Sequence, residues 1–252
     1  IRTIELGSER QARLGVGSGI VADADPRREY AECLLKASFL SGFDPGFELV
    51  ETLRLQAGVY PLLAQHLERL QASAKTLGFA CPLPAVSAKL ANEAACRQRG
   101  VYRVRLTLAH DGRCQAVSSP MPNDEEMSWR VVLADDALEA DDYLLRHKTT
   151  ARARYDRVLA ALAGRATVFD AIFLNARGEV CEGARSNVFV ERDGILLTPP
   201  VACGLLPGVL RRTLLDSGRA VETVLRLEDL VQGPALYVGN ALRGLLPVLL
   251  ER

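Results

Sequence analysis

Apolar residues recur at helical spacing in "LLAQHLERLQASAKTLGF", where Leu63, Leu67, Leu70, Ala74 and Leu77 form one stripe. That spacing predicts an amphipathic helix, with Gly78 as its stop. A second stripe of His66, Arg69 and Ser73 lies beside the first and is polar. The plain reading of Arg69 is a surface arginine. The period shortens to two in "VYRVRLTLAHDG", where Val104, Leu106 and Leu108 alternate with Arg103, Arg105 and Thr107. This predicts a strand that is apolar on one face. Its paired arginines meet solvent or a neighbouring acid, or else line a site for a carboxylate-bearing ligand. The strand by itself leaves both open.

Elsewhere the patterns are shorter. Leu14 to Ala22 reads as a strand, followed by a turn and a helix capped by Asp25 with Pro26 at its first position. "SGFDPGF" is a Gly/Pro-rich break and marks a boundary. "FELVETLRLQAGVYPLL" predicts a hairpin turning at Gly58, and a helix is expected from about Ala85 to Arg99. "PMPNDEEMS" is a loop, and "WRVVLADDALEADD" a strand leaving it toward a second, larger lobe. "ARYDRVLAALAGR" is helical. The run from Ala166 to Pro200 is a set of short strands with turns at Ala176-Arg177-Gly178 and Asp193-Gly194. A helix entered through Pro207-Gly208 follows, then a strand, a short helix and two closing strands. Helices and strands are mixed without strict alternation, which predicts an α+β fold.

Composition changes this picture little. With 48% hydrophobic and 25% charged residues among 252, the chain is an ordinary globular one, and its 31 basic and 31 acidic residues cancel. Neither nucleic acid nor a membrane is expected as a partner. The six scattered cysteines read as reduced thiols of a cytoplasmic protein, and the absent starting methionine suggests a chain cut from something longer. The three histidines lack zinc-like spacing, so no metal is expected, and no serine-nucleophile, Walker or dinucleotide motif is present.

One stretch invites chemistry. In "LLRHKTTARARYD" a single lysine, Lys148, stands among Arg146, Arg152 and Arg154 with no acid before Asp156. Crowded cations lower an amine's pKa and attract an anion, although a solvated basic loop reads the same way. A lysine that carries pyridoxal phosphate would also need an acid for the pyridine nitrogen and a phosphate cup of arginine, helix N-terminus and small residues. Glu182, Arg69, Gly208 and the Gly239-Asn240 pair are candidates.

The ordered set "HLERLQASAKTLG", "HKTTARARYD", "NARGEVCEGARSNVFVERDGILLTPP", "GLLPGVLRRTLL" and "VGNALRGLLPV" closely resembles the class IV aminotransferase family of pyridoxal-phosphate enzymes, from about Phe47 to the C-terminus. The resemblance implies a two-lobed fold with a small N-terminal lobe at 43–128 and a larger, strand-rich cofactor lobe at 129–252. It implies Lys148 as the Schiff-base lysine, Glu182 at the pyridine nitrogen, and Arg69, Val209, Leu210 and Asn240 around the phosphate. Tyr155 falls near the cofactor, and Arg103, with Arg105 beside it, falls where many members hold a substrate carboxylate. Transaminases of the family commonly carry a Gly-Thr pair at the last motif and a threonine at the helix start. Gly239-Asn240 and Leu210 depart from that, and "NAL" followed by "LLPV" is similar to the 4-amino-4-deoxychorismate lyase branch. That branch forms 4-aminobenzoate and pyruvate on the way to folate. Residues 1–42 resemble the tail of chorismate-using synthases, with Glu29, Glu32 and Lys36 in the final helix. A transaminase and a non-catalytic domain supporting a synthase are the rival readings. A homodimer is expected by resemblance.

Overall fold

The computed structural model describes the protein except for residues 1–3, 8–10, 19–20, 23, 42–43, 123–126, 234 and 252. The chain forms two compact units, Ile1–Gly46 and Phe47–Arg252. In the first, β1 (Ile4–Leu6) pairs antiparallel with β2 (Ala12–Leu14), and α1 spans Pro26–Ser41. Asp25 caps α1 as expected, its Oδ1 accepting the Arg27 N–H at 2.9 Å. The strand expected over Leu14 to Ala22 is corrected: it ends at Leu14, and the described residues beyond are irregular. Gly15 and Gly17, with no other atom within 4 Å of a Cβ built on either, offer nothing to pack. Residues 19 and 20 of that stretch lie outside the described residues.

In the second unit, β3 (Leu49–Gln56) is followed by α2 (Leu63–Leu77), α3 (Leu83–Cys96), β4 (Val101–Leu108) and β5 (Cys114–Pro120). The strands form a three-stranded antiparallel sheet, β3-β4-β5. Leu49, Leu53, Leu55, Val104, Leu106 and Leu108 meet Leu70, Ala74, Val86 and Leu90 of the two helices in one buried core. Gly78 ends α2 in the left-handed conformation, with φ of 76°. The hairpin expected at Gly58 is corrected. Its turn exists, with Ala57 and Gly58 at φ of 49° and 77°, but the returning arm is a single bridge from Gln56 to Val59. Pro61 has no N–H to extend a ladder, so the chain turns into α2 and β3 pairs with β4. The helix expected from Ala85 to Arg99 runs earlier, and β5, whose sequence lacks clean alternation, has no counterpart in the sequence pattern.

The larger sheet is built from β6 (Trp129–Leu133), β7 (Val168–Leu174), β8 (Val180–Gly183), β9 (Asn187–Arg192), β10 (Ile195–Thr198), β11 (Ala220–Glu222), β12 (Ala235–Asn240) and β13 (Gly244–Leu250). Their order is β11-β10-β9-β12-β13-β6-β7-β8, parallel at β6–β7, β6–β13 and β10–β11 and otherwise antiparallel. Three helices accompany it: α4 (Ala153–Ala161), α5 (Val209–Asp216) and α6 (Leu227–Gln232). Val131, Phe169, Ile172, Val188, Val190 and Val238 are the buried centre of this sheet. The mixture of elements is α+β, and no helix among the described residues is long and apolar enough to cross a membrane.

Candidate functional site

Segment 147–150 is laid along β3 by backbone bonds. The Val50 N–H donates to the Lys148 carbonyl at 2.9 Å, and the Thr150 N–H donates to the Glu48 carbonyl at 2.8 Å. Thr150 Oγ1 accepts the Glu48 N–H at 2.9 Å. This pins Lys148 between the small sheet and the large one, on a cavity of about 860 Å³. The Lys148 amine is lowered to about 8, by burial first and then by Arg69 and Arg152, against the opposing pull of Glu51 and Glu182. Crowding by sequence neighbours is thus a lesser cause than burial. Of the three nearby arginines, Arg152 is among the main causes of that lowering. Arg146 instead depresses His147, after burial, and Arg154 donates to the Ala137 carbonyl at 3.0 Å.

Glu182, on β8, is buried and faces the same cavity. Its Oε1 accepts the Tyr155 hydroxyl at 2.6 Å and its Oε2 accepts the Leu206 N–H at 3.0 Å. Burial raises it to about 7 in spite of those two bonds and of Lys148. Tyr155 comes from α4, its ring edge-on to Phe173 at 5.1 Å, and its hydroxyl is raised by burial and by Glu182.

Arg69 is held from behind. Its Nε and Nη2 donate to the two oxygens of Glu51 at 2.9 and 2.6 Å, and His66 Nδ1 lies 2.6 Å from Glu51 Oε2. The charge of Arg69, with hydrogen bonds from Arg69 and His66, holds Glu51 down at about 2 although it is buried. The polar stripe of α2 therefore faces the site, and Ser73 Oγ sits 3.0 Å from His147 Nδ1. Glu51 is a site residue that no sequence motif singles out. Its signal is its register: it shares a strand face with Leu49, Leu53 and Leu55, where a carboxylate is expensive unless paired.

The start of α5 lines the same cavity as Arg69, and Arg212 of α5 donates to Glu68 of α2 at 2.6 Å. The first N–H groups of a helix have no carbonyl partner within it, so this end offers donors and positive potential. Gly208 and Val209 line the cavity, while the Leu210 side chain packs in the cluster of Phe189 and Leu214. Asn240 lines the cavity too, but its amide is committed to local structure. Nδ2 donates to the Arg185 carbonyl at 3.0 Å, and Oδ1 accepts the Leu242 and Arg243 N–H groups at 3.1 and 3.0 Å. Arg103 lines the cavity and Arg105 does not, although the two share a strand face. Arg185 and Arg243, which stand inside the quoted motifs but were given no role there, and Phe169, which lies outside them, also line the cavity.

The donor set fits pyridoxal phosphate. A largely buried amine of low proton affinity, a carboxylate opposite it, and an arginine beside a helix N-terminus share one cavity of suitable size. Among the described residues no group of three or more His, Cys, Asp or Glu side chains could hold a metal.

Comparison with known proteins gives the same direction. The sequence model of the Amino-transferase class IV family matches residues 48–250, and that of the chorismate binding enzyme family matches residues 1–42. A protein of Schizosaccharomyces pombe provisionally named aminodeoxychorismate lyase is 29% identical over 188 residues, covering 72% of this chain and 80% of its own. A crystal structure from Mesorhizobium loti, provisionally described as an amino-acid aminotransferase, has a TM-score of 0.77 at 41% identity. It covers 81% of this chain and 100% of its own. The 4-amino-4-deoxychorismate lyase of Pseudomonas aeruginosa superposes with a TM-score of 0.69 at 22% identity, covering 82% of this chain and 84% of its own, and shares the fold.

Proposed function

Because the chain belongs to the amino-transferase class IV family, whose members are pyridoxal-phosphate enzymes, we propose that it is a lyase that converts 4-amino-4-deoxychorismate to 4-aminobenzoate and pyruvate. The observation that carries the choice of lyase is the turn at Asn240. Its amide closes the turn on Leu242 and Arg243 and reaches the Arg185 carbonyl, at the position where transaminases of the family commonly offer a threonine hydroxyl. The Schizosaccharomyces relative and the chorismate-binding match over residues 1–42 support the same substrate.

Bound here, pyridoxal phosphate supplies an electron sink for the carbon that bears the substrate's amine. Arg69, oriented by Glu51, and the N–H groups at Gly208, Val209 and Leu210 take the phosphate charge. Glu182 holds the proton on the ring nitrogen, and Tyr155 fixes the carboxylate that does so. Lys148 would hold the cofactor, and its free amine would take the proton from the amine-bearing carbon of the substrate. An amine lowered from 10.5 to about 8 has a far larger neutral fraction near neutral pH than an ordinary lysine, which that role requires. Loss of the enolpyruvyl group as pyruvate leaves an aromatic ring, so elimination runs downhill once this proton has moved. Arg103 holds a substrate carboxylate at the cavity wall.

The second reading, an amino-acid transaminase, draws on the Mesorhizobium relative. Pyruvate release coupled to a lactate dehydrogenase separates the two. The lyase forms pyruvate from 4-amino-4-deoxychorismate with no keto acid present. A transaminase instead stops after one turnover until a keto acid is added.

A further inference from the structure

We propose that Asp170 is a positioning residue for the reaction: from behind the cavity wall it shapes the turn at 183–186 and sets a second negative charge beside Glu182. This rests on the reading of Glu182 as the partner of the ring nitrogen, and it gives that partner a support from outside the cavity.

Asp170 stands in β7, beside β8, and is completely buried. A carboxylate there is unfavourable unless its oxygens are engaged. Its Oδ1 accepts the Ala171 N–H at 2.9 Å, and its Oδ2 accepts the Ser186 hydroxyl at 2.5 Å and the Arg185 N–H at 3.2 Å. Backbone N–H groups donate and cannot accept, so these surroundings suit the ionised form.

The bonds tie β7 to one short turn. β8 ends at Gly183 and β9 begins at Asn187. Between them the Gly183 N–H donates to the Ser186 carbonyl at 2.8 Å, and the Ala184 N–H donates to the Ala171 carbonyl at 3.0 Å. The approach at Gly183 is close: a Cβ there would collide with Asp170 Oδ2 and lie 2.7 Å from Ser186 Oγ. Other elements grip the same turn, Arg152 Nη2 donating to the Ala184 carbonyl at 2.9 Å and Asn240 Nδ2 to the Arg185 carbonyl at 3.0 Å. All four turn residues line the cavity that holds Lys148 and Glu182, and Asp170 does not. The carboxylate therefore acts on the site through the turn and through its charge.

The charged groups that bear on it are Arg185 of the turn and Glu182 of β8; its β6 neighbour in register is the apolar Val131. Burial pushes the Asp170 carboxyl up to about 6, against the Ser186 hydroxyl and the charge of Arg185. Because that value lies above the ordinary 3.8, the stability that a neutral Asp170 gives is complete below 3.8 and lost as pH rises through about 6. A charge kept at neutral pH against that loss points to a use for the charge. Burial first, and Asp170 after it, raise Glu182 to about 7, against Tyr155, Leu206 and Lys148. A negative charge behind Glu182 favours a proton shared between that carboxylate and the ring nitrogen, the form in which the ring serves as an electron sink.

The test begins with the cofactor-free protein. The carbon-13 NMR titration of the Glu182 carboxyl, assigned by its loss in Glu182→Gln, is expected to centre on about 7. Asp170→Asn, which keeps the side chain's shape and removes its charge, should move that midpoint down; an unmoved midpoint overturns the proposal. If Asp170→Asn fails to fold, the wild type decides. Its Glu182 signal should carry a second inflection near 6, where Asp170 titrates, and a single inflection, or an Asp170 carboxyl titrating at 3.8, overturns the proposal. In the pyridoxal-phosphate-loaded protein, Asp170→Asn should lower kcat for 4-aminobenzoate release by about tenfold and leave KM within about twofold. A lowered midpoint with wild-type kcat overturns the role in the reaction. A wild type that shows the expected Glu182 titration but forms no 4-aminobenzoate overturns the lyase reading, and the role of Asp170 in that reaction falls with it.

Discussion

An amine taken out of water loses stabilisation of its charged form, so Lys148 titrates near 8, with Arg69 and Arg152 adding to the effect of burial. Below that pH the amine is an unreactive ammonium, and above it a free nucleophile. In the cofactor-free protein, the rate at which pyridoxal phosphate is taken up should therefore rise through an apparent pKa of about 8. A rise centred on the ordinary 10.5 would show that the amine is not buried as described. Glu51 has the opposite sign. Its folded value of about 2 lies below the ordinary 4.5, so its contribution to stability is complete above 4.5 and is lost as pH falls toward 2. Glu51→Gln should lower the urea midpoint clearly above pH 4.5 and much less near pH 2, and cofactor affinity should fall about tenfold as Arg69 loses its clamp. An unchanged cofactor affinity would remove Glu51 from the site. Lys148, Glu182 and Arg69 are legible in the sequence because their motifs stand in a known order. Glu51 is legible in principle, from its apolar register. Arg185 and Arg243 stand inside two of those motifs, yet their meeting is not legible there, since what joins them is a hydrogen-bonded turn and a shared aromatic ring, and neither leaves a periodic trace.

At the scale of elements, α2 does two jobs with its two stripes. Leu70 and Ala74 are buried in the core of the small sheet, while His66, Arg69 and Ser73 face the site. Packing and chemistry are thus coupled through one helix. Leu70→Ala, at a side chain only 2% exposed, should cost about 2–5 kcal/mol by denaturant unfolding, through lost burial and a residual cavity. Because Arg69 is its neighbour, cofactor affinity should weaken as well; a full loss of stability with unaltered affinity would mean that helix and site are uncoupled. The 3.6-residue stripe makes α2 readable, as the two-residue period does β4. Short elements depart from their local patterns where partners distant in sequence decide the outcome. The pattern around β3 points to a sequence-adjacent partner, yet Pro61 and the apolar face of β4 give it a distant one. β2 stops short of a pair of glycines, Gly15 and Gly17, that a strand pattern runs through.

For the molecule as a whole, the site lies where the backbone of segment 147–150 bonds to β3, so that the small sheet supplies Glu51 and Arg103, α2 supplies Arg69, and the large sheet supplies Glu182 and Asn240. The α+β class follows from element order, but this convergence does not, because it depends on crossovers such as β9 pairing β12. The central claim is that one cavity, with Lys148 as its reactive amine, releases 4-aminobenzoate. The measurement that bears on it most directly is the fluorescence of 4-aminobenzoate after mixing the cofactor-loaded protein with 4-amino-4-deoxychorismate, run beside Lys148→Ala. The account predicts product from the wild type without any keto acid, and from Lys148→Ala neither product nor the absorbance of lysine-bound cofactor. No product from a wild type that retains that absorbance, or equal product from Lys148→Ala, would contradict it.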